Sequence, residues 1–202
     1  LTPEGHLIPW SRWTAGGVTV TTSVCEVRRA SPAGDVLVVG AKAALTNPGA
    51  ATKNIALIVA LRPLGPAGFA VNTLTVDGRS ALLVDGRPAL IGEGPPMSAG
   101  GAADDCVGRL AAERKVPAGS SARSADGSCS GALLYLLTIA PGATIERGFV
   151  CPVLPGRRAV GHRWDGESPW AQLDLSVPNP PEGGQLQPDP GQPILLGFDP
   201  RL

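Results

Sequence analysis

The chain is 202 residues long, with 17 Lys and Arg balanced by 17 Asp and Glu and 43% hydrophobic residues. That length suits one large or two small domains with a sizeable core. A net charge of zero supplies neither the basic field that nucleic acid attracts nor a polybasic patch for anionic lipid, so neither nucleic acid nor a membrane is expected as a partner. The 27 glycines and 21 prolines exclude long helices and coiled coils, and the frequent apolar runs exclude a disordered chain.

In chain order, residues 1–17 read as irregular and carry Trp10 and Trp13. Residues 17–29 (GVTVTTSVCEVRR) are rich in β-branched residues with a period near two and predict a strand. Residues 35–47 predict a second. Its two alternating faces are both largely apolar, one with Leu37, Val39, Ala41, Ala43 and Leu45, which predicts cover on both sides. The turn Asn47-Pro48-Gly49 leads into a third strand over 53–63, so the pair reads as a hairpin or a Greek-key arm. Two Asp-Gly pairs, Asp77-Gly78 and Asp85-Gly86, punctuate apolar runs at 69–76, 80–84 and 88–91 and predict a meander of short strands.

Residues 92–131 are small, polar and rich in Gly and Ser, and read as a long middle loop with one short helix at 107–115. Two further strands, 131–139 and 144–153, flank Ala140-Pro141-Gly142-Ala143. Residues 178–202 hold seven prolines and read as an extended linker or surface-wrapping tail, separate from a β-sandwich domain over 1–177. The fold class expected is all-β, a large antiparallel β-sandwich.

Chemistry-bearing residues are sparse. The cysteines Cys25, Cys106, Cys129 and Cys151 contain no CxxC pair, and the only histidines are His6 and His162, so no metal site or other cofactor is expected. Cys25 and Cys151 lie in apolar strands as small buried hydrophobes, whereas Cys106 and Cys129 lie in the polar middle and can bridge in an oxidising compartment. The sequence leaves the compartment open. The chain opens at Leu1 without a methionine, which points to a segment upstream.

Most acids adjoin turns, as Asp35, Asp77, Asp85 and Asp126 adjoin glycine, where a short carboxylate bonds nearby backbone. Asp165 and Glu167, beside Trp164, look most like a site. No GxSxG elbow exists, and Ser128-Cys129-Ser130 has no histidine marked as its base. No catalytic residue is therefore assigned. Tyr135, Phe69 and Phe149 fall in apolar strands and are expected in the core. Trp10, Trp13, Trp164 and Trp170 lie in irregular segments as candidates for stacking on a sugar ring or for contacting a neighbouring domain.

Residues 45–91 carry a wider pattern: the Asn47-Pro48-Gly49 turn, a return strand ending Ala60-Leu61-Arg62-Pro63, and a meander ending Val84-Asp85-Gly86-Arg87-Pro88. It resembles the N-terminal β-sandwich (supersandwich, galactose mutarotase-like) domain of bacterial glucoamylase-like and other six-hairpin glycosidases. Residues 131–153 are similar to that family's closing hairpin, and Leu7-Ile8-Pro9-Trp10-Ser11-Arg12-Trp13 to the opening of its first strand. The resemblance implies a non-catalytic sandwich that packs against a C-terminal helical barrel domain of the same protein, where the catalytic carboxylates of the family reside, and that borders its glycan cleft. It also makes an oligo- or polysaccharide the expected ligand and the Pro-rich tail the connecting linker. The alternative is a stand-alone immunoglobulin-like or carbohydrate-binding module.

Overall fold

A computed structural model describes residues 8–29, 36–63, 70–78, 80–152 and 194–198. Twelve strands and one helix occur among them: β1 (Trp10–Ala15), β2 (Val18–Arg29), β3 (Val36–Thr46), β4 (Lys53–Leu61), β5 (Thr73–Asp77), β6 (Ala81–Val84), β7 (Arg87–Gly92), β8 (Ser98–Ala102), α1 (Val107–Ala112), β9 (Ser121–Arg123), β10 (Ser130–Ile139), β11 (Thr144–Pro152) and β12 (Ile194–Phe198). They form an all-β sandwich. The first sheet is antiparallel with strand order β1-β2-β3-β11-β7-β6-β5-β9, and the second has the order β12-β4-β10-β8. The boundary expected near residue 177 lies outside the described residues. Beyond it, β12 pairs in parallel with β4, Ile194 opposite Leu57 and Phe198 opposite Leu61.

Alternation decides what enters the core. Val18 and Val20 of β2, Ala41, Ala43 and Leu45 of β3, and Phe149 and Cys151 of β11 point inward from the first sheet. They meet Leu57, Val59 and Leu61 of β4 and Leu133, Tyr135, Leu137 and Ile139 of β10. Tyr135 and Phe149 pack edge to face with ring centroids 5.9 Å apart, a favoured aromatic geometry.

The pair about Asn47-Pro48-Gly49, read as a hairpin or a Greek-key arm, does not close as a hairpin, and neither does the pair about Ala140-Pro141-Gly142-Ala143. β3 and β11 pair with each other in the first sheet, Thr46 opposite Thr144. β4 and β10 pair in the second, Lys53 opposite Ile139. Each turn therefore arches across the sandwich, and the two arches lie side by side. Folding over in this way turns the apolar faces of both strands toward one another, whereas a hairpin would leave them side by side in one plane.

Asn47 locks the arches together. It is fully buried. Its Nδ2 donates to Ala51 O (2.8 Å) and Ile139 O (3.0 Å), and its Oδ1 accepts from Gly49 N–H (3.0 Å). Its backbone N–H donates to Ala143 O (2.9 Å) and its C=O accepts from Gly142 N–H (2.9 Å).

The meander β5–β6–β7 forms as the Asp-Gly pairs predict. Asp85 and Gly86 both have positive φ, 50° and 75°, which a two-residue turn matched to the strand twist requires. Pro88 is accommodated by a bulge, since Leu82 faces Leu90 but Leu83 faces Pro88.

Three expectations need correction. Residues 1–17 are not wholly irregular, because Trp10–Ala15 form β1 against β2. The middle stretch is not an open loop either, since besides the expected helix α1 it contributes β8 and β9. The strand Ser98–Ala102 (SAGGA) escapes notice because its glycines serve close packing rather than side-chain burial. A Cβ on Gly100 would lie 1.6 Å from Pro117 O, and one on Gly101 would lie 2.4 Å from Leu74 Cδ2. Helix α1 stops at Ala112 rather than 115. Arg114 adopts φ 59°, and Lys115 N–H bonds Leu110 O while Arg114 N–H bonds Ala111 O, a left-handed C-terminal cap.

Candidate functional site

The outward faces of the two sheets differ in chemistry. Helix α1 lies on the second sheet, its Val107 and Ala111 buried against Ile58 and Ala60 of β4 and Ala132 and Leu134 of β10. A bidentate ion pair, Arg62 Nε and Nη2 to the Asp105 carboxylate at 2.8 and 2.7 Å, fastens the start of α1 to the end of β4. Farther along β10 on the same face, Leu136 is 60% exposed.

The outward face of the first sheet is polar and organised in rows across four strands. Thr14, Thr19, Thr46 and Thr144 form one row, with a hydrogen bond of 2.8 Å between the last two hydroxyls. Arg12, Thr21, Ala44 and Glu146 form the second, and Trp10, Ser23, Lys42 and Gly148 the third. Arg12 Nε donates to Thr21 Oγ1 (3.3 Å), and its guanidinium lies 6.0 Å from the centroid of the Trp10 ring. Lys42 pairs with Glu146 at 3.1 Å. A further row is apolar, with Cys25 and Val150 opposite Gly40, packed with Val38 and, partly buried, Ile8 and Ile91.

The expected site residues separate accordingly. Trp10 and Trp13 share β1 but face opposite ways. Trp13 packs against the core between the sheets, whereas Trp10 stands outward, 38% exposed. Trp164, Trp170, Asp165 and Glu167 lie outside the described residues, as do Phe69, Asp35 and both histidines. The threonine row on this face was missed in sequence. Its signal was present in the VTVTTS run, but assigning that run's threonines to one face requires knowing which face is buried.

All four cysteines are free thiols in the structure; a Cys106–Cys129 bridge was expected only for an oxidising compartment. Cys129 is buried in the core and donates its thiol to Asn72 O at 3.6 Å. Cys106 occupies the start of α1. Burial pushes the Cys25, Cys106 and Cys129 thiols up, helped at Cys106 by Asp104 and at Cys129 by Asp85 and Asp126, which keeps them protonated and weakly nucleophilic.

Ser128 and Ser130 are likewise committed to the fold. Ser128 Oγ lies 2.6 Å from Asp126 Oδ1 and 3.1 Å from Ala103 O, and Ser130 Oγ donates to Asp104 O at 2.6 Å. Hydrogen bonds from Ser124 and Ser128 hold the Asp126 carboxyl below the usual aspartate range. Other carboxylates also act as structural acceptors. Asp85 takes the N–H and hydroxyl of Thr73 (3.0 and 3.1 Å), Glu93 takes Gly148 N–H (2.9 Å), and Glu113 pairs with Lys115 (3.1 Å).

Among the described residues no three His, Cys, Asp or Glu side chains gather into a metal-binding group, and no helix is long and apolar enough to cross a membrane. No family model matches the chain, and no curated protein matches it.

Proposed function

We propose that this chain is a non-catalytic β-sandwich module of a larger glycoside-hydrolase-like protein, packing against a helical barrel domain and shaping its glycan cleft. The observation that carries the reading is the structural employment of six acids among the described residues. Asp85, Glu93, Asp105, Glu113, Asp126 and Glu146 each bond a backbone or side-chain group that holds turns, strands or helix α1 in place. A glycoside-cleaving site needs a facing carboxylate pair held free for substrate, about 5 to 10 Å apart. The exposed Leu136, continuing the apolar face that α1 covers, offers a contact for a neighbouring domain.

The reading is tested by the size of the natural gene product, determined by immunoblot of source cells with serum against this sandwich. A species several-fold larger than 202 residues supports the module; a species of this length overturns it.

A further inference from the structure

Strand β4 is built as an interior strand whose second neighbour comes from the far end of the chain. On one side it pairs with β10 along its whole length, from Lys53 opposite Ile139 to Leu61 opposite Gly131. On the other side Leu57 to Leu61 pair with Ile194 to Phe198 of β12. Leu57, Ile58, Val59, Ala60 and Leu61 are all fully buried, with apolar neighbours on both faces of the strand. An edge strand is not built that way, because one row of its backbone groups faces water. With nothing in the place of β12, this stretch leaves ladder N–H and C=O groups unpaired in apolar surroundings.

The strand that fills the place is set apart from the rest. Every other ladder between the described strands is antiparallel, whereas β12 runs parallel to β4. A parallel neighbour is not delivered by a tight turn. Residues 153–193 lie between it and Pro152, which ends β11 in the other sheet. The sequence ahead of it carries Pro178, Pro180, Pro181, Pro188, Pro190 and Pro193, a composition that favours an extended, semi-rigid spacer. The strand itself is five residues, Ile-Leu-Leu-Gly-Phe. Pro193 precedes it and Pro200 follows closely, and proline cannot donate to a ladder.

The contacts along β4 are the same whichever copy supplies residues 194–198. What decides between copies is how often a chain's own segment reaches its own β4, and a spacer that resists bending back lowers that local concentration. We propose that the edge of β4 is a strand-acceptor site and that two copies of the chain fill it reciprocally, each lending residues 194–198 to the other. The partner is a second copy, held by main-chain hydrogen bonds along Leu57–Leu61. This goes beyond the module reading, because it needs no helical barrel.

Cysteine cross-linking of the full chain tests it. Leu196 stands opposite Val59. Val59→Cys and Leu196→Cys, carried on two differently tagged copies and co-expressed, should therefore give a mixed disulfide-linked pair at twice the chain mass on a non-reducing gel. The band should be lost when Leu196→Cys is co-expressed with wild type or with Leu57→Cys, two residues out of register. Light scattering should show the wild-type mass rising from one chain toward two with concentration. Leu195→Pro/Leu196→Pro, which withdraws N–H groups from the segment, should stay at one. Circular dichroism checks that each variant is folded, and if Val59→Cys is not, Ala60→Cys with Gly197→Cys, the next pair of the ladder, takes its place. Absence of the mixed pair, including the case in which a Val59→Cys/Leu196→Cys double variant closes only within one chain, overturns the proposal. So does a mixed pair formed equally well with wild type or Leu57→Cys, or a wild type that keeps the mass of one chain at every concentration. Such a failure leaves the module reading standing, since that one is decided by the size of the gene product.

Discussion

The two sheets share one core but turn different chemistry outward. β10 and β4 carry Ala132, Leu134 and Ile58 on their outer side and accept a helix there. β2, β3 and β11 carry Thr19, Thr21, Lys42 and Thr46, half-exposed, and Thr144 and Glu146, exposed, on theirs. The difference teaches that a sandwich strand is specified twice, once by the face that makes the core and again by what the opposite face is built to meet. Where the second sheet's outer face is apolar the chain provides its own cover in α1, and among the described residues of β4 and β10 Leu136 is left in solvent.

The largest effect is expected where the two sheets are joined. Asn47→Ala leaves the buried carbonyl of Ile139 and the part-buried carbonyl of Ala51 and N–H of Gly49 without their partner. It should cost about 3 kcal/mol, read as a lowered urea midpoint, and an unchanged midpoint would show that the arches do not depend on this residue. Next comes the contrast within the second sheet's outer face. Ile58→Ala, under α1 and fully buried, should cost about 3 kcal/mol, whereas Leu136→Ala should stay within about 0.5 kcal/mol. Equal losses in thermal melts would break the distinction between covered and bare apolar surface.

A third, smaller effect sits in the core between the faces. The Tyr135 hydroxyl is buried without a hydrogen-bond partner, and a Cβ on Gly92 would lie 1.9 Å from it. Tyr135→Phe should therefore stabilise by about 1 kcal/mol, the lower end of what an unmet buried polar group costs. Gly92→Ala should destabilise the wild type by about 2 kcal/mol through overpacking and the Tyr135→Phe background by less, which a double-mutant cycle reads directly.

Burial also pushes the Tyr135 phenol up to about 12. The unfolded chain then ionises first, near pH 10, so stability present below pH 10 is lost as pH rises through 12, and Tyr135→Phe removes that loss.

The smallest effect belongs to Asp126. Its carboxyl is held below the usual range by Ser124 and Ser128, so the stability it contributes is present above the unfolded aspartate value near 3.9 and is lost as pH falls through the folded one. Asp126→Asn should make the acid limb of the stability curve shallower. An identical limb would mean that the loop does not feel the charge.

Much of this was legible residue by residue. Period-two runs located β2 and β3, apolar runs flanking turns located β4, β10 and β11, and Asp85-Gly86 announced its turn because positive φ at two successive positions leaves few residue choices. The strand SAGGA was not legible, because its glycines answer to Pro117 and Leu74, which are brought there by distant parts of the chain. Trp10 and Trp13 looked equivalent in sequence and differ only because the core lies on one side of β1.

An all-β chain, its turns and the alternation along each strand follow from local sequence, since these depend on neighbours two to four residues away. Which strands pair, that Asn47-Pro48-Gly49 arches between sheets instead of closing a hairpin, and which threonines share an open face were decided only in the tertiary structure. Those outcomes depend on contacts such as Asn47 with Ile139 and Thr46 with Thr144, close to a hundred residues apart, and no local pattern encodes a partner at that distance.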